Sequence, residues 1–397
     1  MRFVNKVHIK PSKNQIETFN FWLRKCKDLY NGALEHRSEV YRKTGKGVSY
    51  YDQKKELPLI KIDNSIWSDV PNKSLTETLK RLDNSFNRFF KNGAGYPKFK
   101  NNDNFNSIYF VSTDVKLKNN LLYLPKIKTP ISYSEAIKDD FKSVVLKKEN
   151  NQWFLIFNYD DKQVLIKDEL KDKELESVGV DLGLKTLLTD SEGNEVKRFS
   201  TKLLKKYANR IVELNQSLSR CKKGSKRRKK VKKQLTKAYL RQKNSVQDYQ
   251  KKEANKYVNK LLKEDREVLI IGDIQVGSII DKSKDVKKSK RALRRSFSRN
   301  SVTQFKTVLT NKAESKGIRV YKVSEWKTSQ TCSCCGAVKD DLKLSDRVFG
   351  CGHCGASINR DRNGAINMKI VWHGQFKPYG LDSHGKKVYC VKKSEYK

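Results

Sequence analysis

VGVDLG, Val178–Gly183, is an apolar run that closes on one carboxylate, Asp181, and a glycine. Downstream, VLIIGDIQVG (Val268–Gly277) reads as another strand, and SINRDRNGAIN, ending at Asn367, supplies a further acid, Asp361. Acidic side chains converging from separate strands and a helix can hold two divalent cations about 4 Å apart for cutting a phosphodiester. Asp181 and Asp361 suit two such positions. The strand between them offers Gly272, which has no side chain, and then Asp273. What the chain can do turns on whether that gap is filled.

Composition narrows the partner. Across 397 residues the net charge is +42, far more than solubility requires, so a polyanion is expected. Hydrophobic residues make up 37% and are scattered, so no apolar run reaches the roughly 18 residues that a membrane span requires. No secretory signal is read, and a cytosolic protein with no membrane partner is expected. The length favours two or three compact units over one core.

The first ten residues, MRFVNKVHIK, alternate as a strand does, and Ser12 with Gln15 fits a capping box. Ile16, Phe19, Leu23, Cys26 and Tyr30 follow at helical spacing, as do Leu75, Leu79, Leu82, Phe86 and Phe89 after Pro71. From about Phe105 to Tyr159 the period becomes that of strands (SIYFV, LLYLP, SVVLKK, WFLIFNY), with Glu149, Asn150 and Asn151 marking a hairpin turn. An antiparallel barrel or small sheet is expected there, with the helices inserted into it. Past Gly183, TLLTDSEGNEV reads as a hairpin, and a long helical region runs from about Thr201 to Glu264. Its middle, Lys222–Lys243, has no acidic residue. So dense a run repels itself in a free helix and is expected to lie against phosphates. Candidate contacts are Lys222, Lys223, Lys226, Arg227, Arg228, Lys229 and Lys230. A second cluster gives Lys287, Lys288, Lys290, Arg291, Arg294 and Arg295. Trp67, Tyr96 and Trp153 could stack on bases, although aromatics in such contexts more often belong to the core.

Five of the eight cysteines fall between 332 and 354. Cys332 and Cys335, then Cys351 and Cys354, form two CxxC pairs, each followed by glycine, the pattern of a zinc ribbon in a reducing compartment. Cys334 is a rival ligand, disfavoured by the symmetry of the two CxxCG knuckles, and His353 fits the spacing less well. Such a zinc would fold a small module and contribute no chemistry.

In this order the parts closely resemble the TnpB family of transposon-encoded RNA-guided nucleases, relatives of the type V CRISPR effectors. The resemblance runs over nearly the whole chain. It is carried by KPSKNQ, LYNGALE, RLDNSFNRFF with GYPKFK, LSRCKKGSKRRKK, VGVDLG, SEWKTSQTCSCCG and NRDRNGAIN. It implies a multidomain α+β fold. A wedge-like antiparallel β-barrel (1–11 and 97–173) carries an inserted helical recognition domain (12–96). A RuvC-like, RNase H-like α/β domain (174–325 and 357–397) is interrupted by the zinc ribbon (326–356). A guide RNA and a double-stranded DNA target beside a short flanking motif are implied as partners, in the bacterial cytosol or nucleoid.

The family's catalytic acids fall at Asp181, at the position of Gly272, and at Asp361. In this chain the second motif has Gly272 and Asp273 where the family shows an acid followed by Asp or Asn. The third has Asn359, Arg360 and Asp361 for Asp-Arg-Asp. Neighbouring strand residues point to opposite faces, so Asp273 would need a bulge at Gly272 to substitute. Losing one pre-organised group commonly costs about a hundredfold or more in rate. The expectation is therefore a TnpB-like nuclease-dead repressor, with vestigial Asp181 and Asp361, structural zinc and no use of magnesium. It would bind guide-matched DNA and block transcription by occupying it. The alternatives are an active RNA-guided endonuclease, through a rescuing acid or a deliberate alteration at Gly272, and a general RNA-binding or RNA-processing protein.

Overall fold

A computed structural model describes residues 2–133, 137, 139–160, 172–183, 185–273, 302–343 and 346–374, together with the backbone of 376–381 and 387–391. The chain divides into two compact units, Met1–Val164 and Leu165–Lys397.

In the first unit, strand β1 (Arg2–Ile9) runs into helix α1 (Lys13–Thr44) through the expected capping box, Ser12 and Gln15 each bonding the other's backbone. Helix α2 (Tyr50–Asp63) and helix α3 (Asn72–Asn92) follow. Strands β2 (Ser107–Val111), β3 (Lys116–Lys118), β4 (Leu121–Tyr123), β5 (Ile131–Ser132), β6 (Ser143–Glu149) and β7 (Gln152–Asp160) complete the unit. One antiparallel sheet has the order β1-β7-β6-β2, and a smaller one the order β3-β4-β5. The turn joining β6 to β7 is made by Asn150 and Asn151, both at positive φ (52° and 65°), as a tight hairpin requires. Phe19 and Trp22 of α1 and Leu75, Leu79 and Leu82 of α3 are buried with Phe110, Trp153 and Phe157 of the larger sheet. Among the described residues no sheet closes, so the expected barrel is not found. β1 and β2 are paired on one side only, and a 3-10 turn at Ser112–Asp114 separates β2 from the smaller sheet.

The second unit is built on strands β8 (Ser177–Asp181), β9 (Thr186–Asp190), β10 (Glu195–Lys197), β11 (Val268–Gly272) and β12 (Arg319–Val323), ordered β10-β9-β8-β11-β12. β8, β11 and β12 are parallel, while β9 is antiparallel to both β8 and β10. The long helical region divides into α4 (Thr201–Ser219) and α5 (Lys226–Lys263), turning at Gly224 (φ 85°). Helix α6 (Val302–Ser315) precedes β12. A hairpin, β13 (Val348–Gly350) with β14 (Ser357–Asn359), leads into helix α7 (Arg360–Trp372). Backbone strands β15 (Phe376–Leu381) and β16 (Lys387–Val391) pair after it.

The β8-β11 layer is apolar on both faces, as parallel strands between helices must be. Leu269 and Ile271 pack with Tyr257 and Val258 of α5 and Phe305 and Leu309 of α6. Val268 and Ile270 pack with Met368 and Trp372 of α7. Buried Asp190 fixes the β9-β10 turn by accepting from the backbone N–H groups of Glu192 and Asn194, and it also accepts from the Tyr257 hydroxyl. Gly179 sets how closely α7 approaches β8, because a Cβ there would lie 2.1 Å from the Ala365 carbonyl oxygen. Gly179→Ala should therefore force helix and strand apart, costing about 2–3 kcal/mol, measurable as a lower urea midpoint.

Candidate functional site

Asp181 ends β8, and Asp361 lies in the first turn of α7. Asn359 caps that helix, its Oδ1 accepting from the N–H groups of Asp361 (2.9 Å) and Arg362 (3.2 Å). The neutral residue at 359 thus does a capping task that asparagine performs as well as aspartate. One turn on, α7 passes Gly364 over Asp181, where even a Cβ would stand in ordinary contact, 3.6 Å from Asp181 Oδ2.

Register decides the third position. Ile271 is paired with Val180 and with Lys322, and Gly272 with Val323, so Gly272 lies in line between the end of β8 and the end of β12. Two residues beyond Val323, Glu325 returns to the face that Gly272 shares, by the alternation of extended chain. Its carboxylate folds back over the glycine. A Cβ added to Gly272 would fall 1.9 Å from Glu325 Oε1 and 2.3 Å from its Cγ. The missing side chain at 272 is thus replaced, in space, by an acid arriving from the neighbouring strand. Glu325 Oε1 is buried and has no hydrogen-bond partner.

Asp273 is engaged elsewhere. Lys306 on α6 donates to its Oδ1 (3.1 Å) and to the Gly272 carbonyl oxygen (2.7 Å). Burial and the neighbouring Asp361 and Glu325 carboxylates push Asp181 up to about 7. Glu325 is also pushed up to about 7, by burial, with Lys306 pulling the other way and Asp273 adding to the rise. Asp181 thus lies near enough to Asp361 and Glu325 to feel both charges, and carboxylate oxygens are the donors that hard divalent cations such as magnesium or manganese take; among the described residues, however, only the four cysteines bring their ligand atoms within 4.8 Å of one another.

The cysteine module is built on the same helix. The ligand sulfurs of Cys332, Cys335, Cys351 and Cys354 all lie within 4.8 Å of one another. Cys332 and Cys354 are 3.7 Å apart, and Cys335 and Cys351 3.5 Å. Thiolates about 2.3 Å from one tetrahedral zinc stand about 3.8 Å apart. Gly336 and Gly355 take positive φ (75° and 73°), completing each knuckle. Neither Cys334 nor His353 joins the set. N–H groups of Cys354 and His353 pull the Cys351 thiol down to about 6, while burial pushes Cys332 up to about 12. Buried amides tie the module to α7: Asn363 accepts from Ser333 N–H and donates to the Thr331 carbonyl, and Asn367 donates to the Thr328 and Thr331 carbonyls.

Two stretches of the chain match known family models. Residues 162–283 match the OrfB_IS605 family, described as a "Probable transposase", and residues 303–368 match the Cas12f1-like TNB domain. A "Putative RNA-guided DNA endonuclease" of Streptomyces pristinaespiralis is 25% identical, over 86% of this chain and 82% of its own length. InsQ of Escherichia coli K12, which carries the same description, is 24% identical over 93% of this chain and 92% of its own. This chain is related to the TnpB proteins and IS605 transposases. Among solved structures, that of the mini-RNA-guided endonuclease CRISPR-Cas_phi3 covers 94% of this chain and 92% of its own, with a TM-score of 0.51 and 11% identity, a likeness of fold.

In this TnpB relative the first basic run is helical. Ile211 and Leu214 of α4 pack against Val231 and Ala238 of α5, and that apolar seam holds the hairpin closed against its own charge. Lys222, Lys223, Lys226, Arg227, Lys229 and Lys230 are exposed. Arg228 is turned inward, donating to the carbonyls of Leu218 (2.7 Å) and Cys221 (3.2 Å) at the end of α4. Arg228, only partly covered, thereby ties the start of α5 to the end of α4. Lys287, Lys288, Lys290, Arg291, Arg294 and Arg295 lie outside the described residues. Trp153 belongs to the core and Trp67 packs against it, whereas Tyr96 is exposed. No described helix is long and apolar enough to cross a membrane.

Sequence reading missed Glu325. An acid at an even offset past the strand paired with β11 is its signal, but only once the pairing is known. Two predictions follow from the centres. The purified chain should carry one zinc ion, retained by Cys334→Ser and lost by Cys335→Ser, as read by metal analysis. In the second, Asp181 and Glu325 have folded values near 7 against ordinary values of 3.8 and 4.5. Raised carboxylates favour folding fully below the ordinary values, and that contribution is lost as pH rises through the folded ones. Without divalent cations, Tm should fall between about pH 4 and pH 7. Magnesium should reverse the fall, and Glu325→Gln should reduce it, leaving the part that Asp181 contributes.

Proposed function

We propose that this chain is an RNA-guided DNA endonuclease whose catalytic acids are Asp181, Glu325 and Asp361. The observation that carries this reading is the Glu325 carboxylate lying where the side chain of residue 272 would begin. An inactivated site was expected because Gly272 offers no acid, and Glu325 supplies one at the same place from the adjoining strand.

Asp181 and Asp361 come from β8 and α7, and Glu325 from just past β12, so the three acids approach one region from separate elements. Bound divalent cations would activate water and stabilise charge building on the phosphate. Asp181 and Glu325 must be ionised to hold them, so protons leave both carboxyls as the centre loads. Lys306 anchors the end of β11 and occupies Asp273, which leaves Glu325 as the acid facing Asp181. Cys332, Cys335, Cys351 and Cys354 hold zinc that folds the segment linking Glu325 to Asp361. The basic α4-α5 hairpin is the surface for guide RNA or target DNA. Guide pairing reads the sequence, and the protein reads a short flanking motif.

Lys306 also supports a second reading. Its ammonium sits beside Glu325 and Asp273, where a divalent cation would compete with it, and a site filled this way would bind guide-matched DNA as a transcriptional repressor without cutting. A matched supercoiled plasmid, copurified guide RNA and magnesium separate the two readings. Cleavage is expected, reduced about a hundredfold or more by Glu325→Gln and by less than tenfold in Asp273→Asn. No cleavage, with tight guide-dependent binding, would establish the repressor reading instead.

A further inference from the structure

Helix α3 ends in an aromatic group that the core does not absorb. Leu75, Leu79 and Leu82 are fully buried, but the stripe continues into Phe86 and Phe89, which are only partly covered, and Phe90, which is 74% exposed. Past the left-handed cap at Gly93 (φ 63°) the chain folds back and brings Tyr96 against them. Phe86 stacks on Phe90 with centroids 6.2 Å apart and planes 21° from parallel. Tyr96 meets Phe86 and Phe89 edge-on at 5.6 and 5.4 Å, and Phe89 meets Phe90 at 5.0 Å. The group is held from beneath: the Arg37 guanidinium lies 5.2 Å from the Phe86 centroid and is itself paired with Asp83 and Gln53. The Tyr96 hydroxyl is hydrogen-bonded to Ser38 at 2.9 Å.

Four rings fixed in place, one of them largely in water, are costly as surface unless something covers them. The surrounding charge says what. From Asn84 to Asn102 there is no acidic residue, while Arg88, Lys91 and Lys98 are exposed cations. Rings interleaved with cations, free of carboxylates, match bases stacked on a phosphate backbone, and each base stacked on a ring contributes about 1–3 kcal/mol. A protein partner with an acidic apolar face is the competing occupant, but the planar, near-parallel Phe86–Phe90 pair suits flat bases better than branched side chains.

We propose that Phe90, backed by Phe86, Phe89 and Tyr96, is a stacking platform for unpaired bases of a nucleic-acid strand, with Arg88 and Lys91 taking the adjoining phosphates. This is independent of whether the carboxylate centre cuts. The test uses the full chain and a thymidine decamer carrying one 5-iododeoxyuridine, photo-cross-linked at salt high enough to weaken contacts made by phosphates alone, with sites mapped by mass spectrometry. Cross-links on Phe90 or Tyr96 are expected. Phe90→Ala should weaken decamer binding by about fivefold or more at unchanged Tm and unchanged salt dependence, and Phe90→Trp should restore it. Lys91→Gln should instead lower the salt slope by about one. Cross-links confined to the α4-α5 hairpin, or equal weakening on a blunt duplex, would overturn the proposal. So would a Phe90→Ala chain whose sedimentation shows lost self-association and whose decamer affinity is unchanged, while the relative affinity for thymidine and uridine decamers assigns the strand as DNA or RNA.

Discussion

Like charges have to be held together against their own repulsion. Two carboxylates about 5 Å apart repel by on the order of 3 kcal/mol at a protein's effective dielectric. Asp181, Glu325 and Asp361 are near enough that the first is driven up to about 7 by burial and by the other two. What restrains them is apolar and backbone packing. Gly179 admits α7 to within contact of β8, the parallel register lines up the ends of β8, β11 and β12, and Lys306 clamps the Gly272 carbonyl from α6. The packing of the second unit keeps an unfavourable group of carboxyls assembled, and strongly perturbed titratable groups cluster at functional sites.

The cysteine module belongs to the same restraint. It lies between Glu325 and Asp361 in sequence, and Asn363 and Asn367 of α7 are hydrogen-bonded to its backbone from buried positions. Drawing four thiolates to one ion therefore shortens and stiffens the path joining two of the three acids. On the reading proposed above, a metal held there with no part in the reaction would set the geometry of the groups that have one.

Much of this was legible because it is local. The Ser12–Gln15 capping box, the Asn150–Asn151 turn, the apolar stripes of α1 and α3 and the paired CxxCG knuckles each declare themselves within a few residues. What was hidden depends on neighbours distant in sequence. Glu325 becomes meaningful only when β11 and β12 are known to be parallel with Gly272 opposite Val323. Arg228 reads as one more cation in a basic run until the hairpin turns it onto the Leu218 carbonyl. The open sheet of the first unit was likewise unreadable, since strand periodicity says nothing about whether β1 and β2 meet.

The contact between Gly272 and Glu325 bears on how such chains diverge and are sorted. The space above residue 272 holds one carboxylate, so an acid at 272 and the present placement of Glu325 exclude each other. A chain with an acid at 272 and one with Glu325 over Gly272 would each present one carboxylate at this point. Scoring the second motif by its own letter would file the two under different activities. Scoring positions 272 and 325 as one site would place them together.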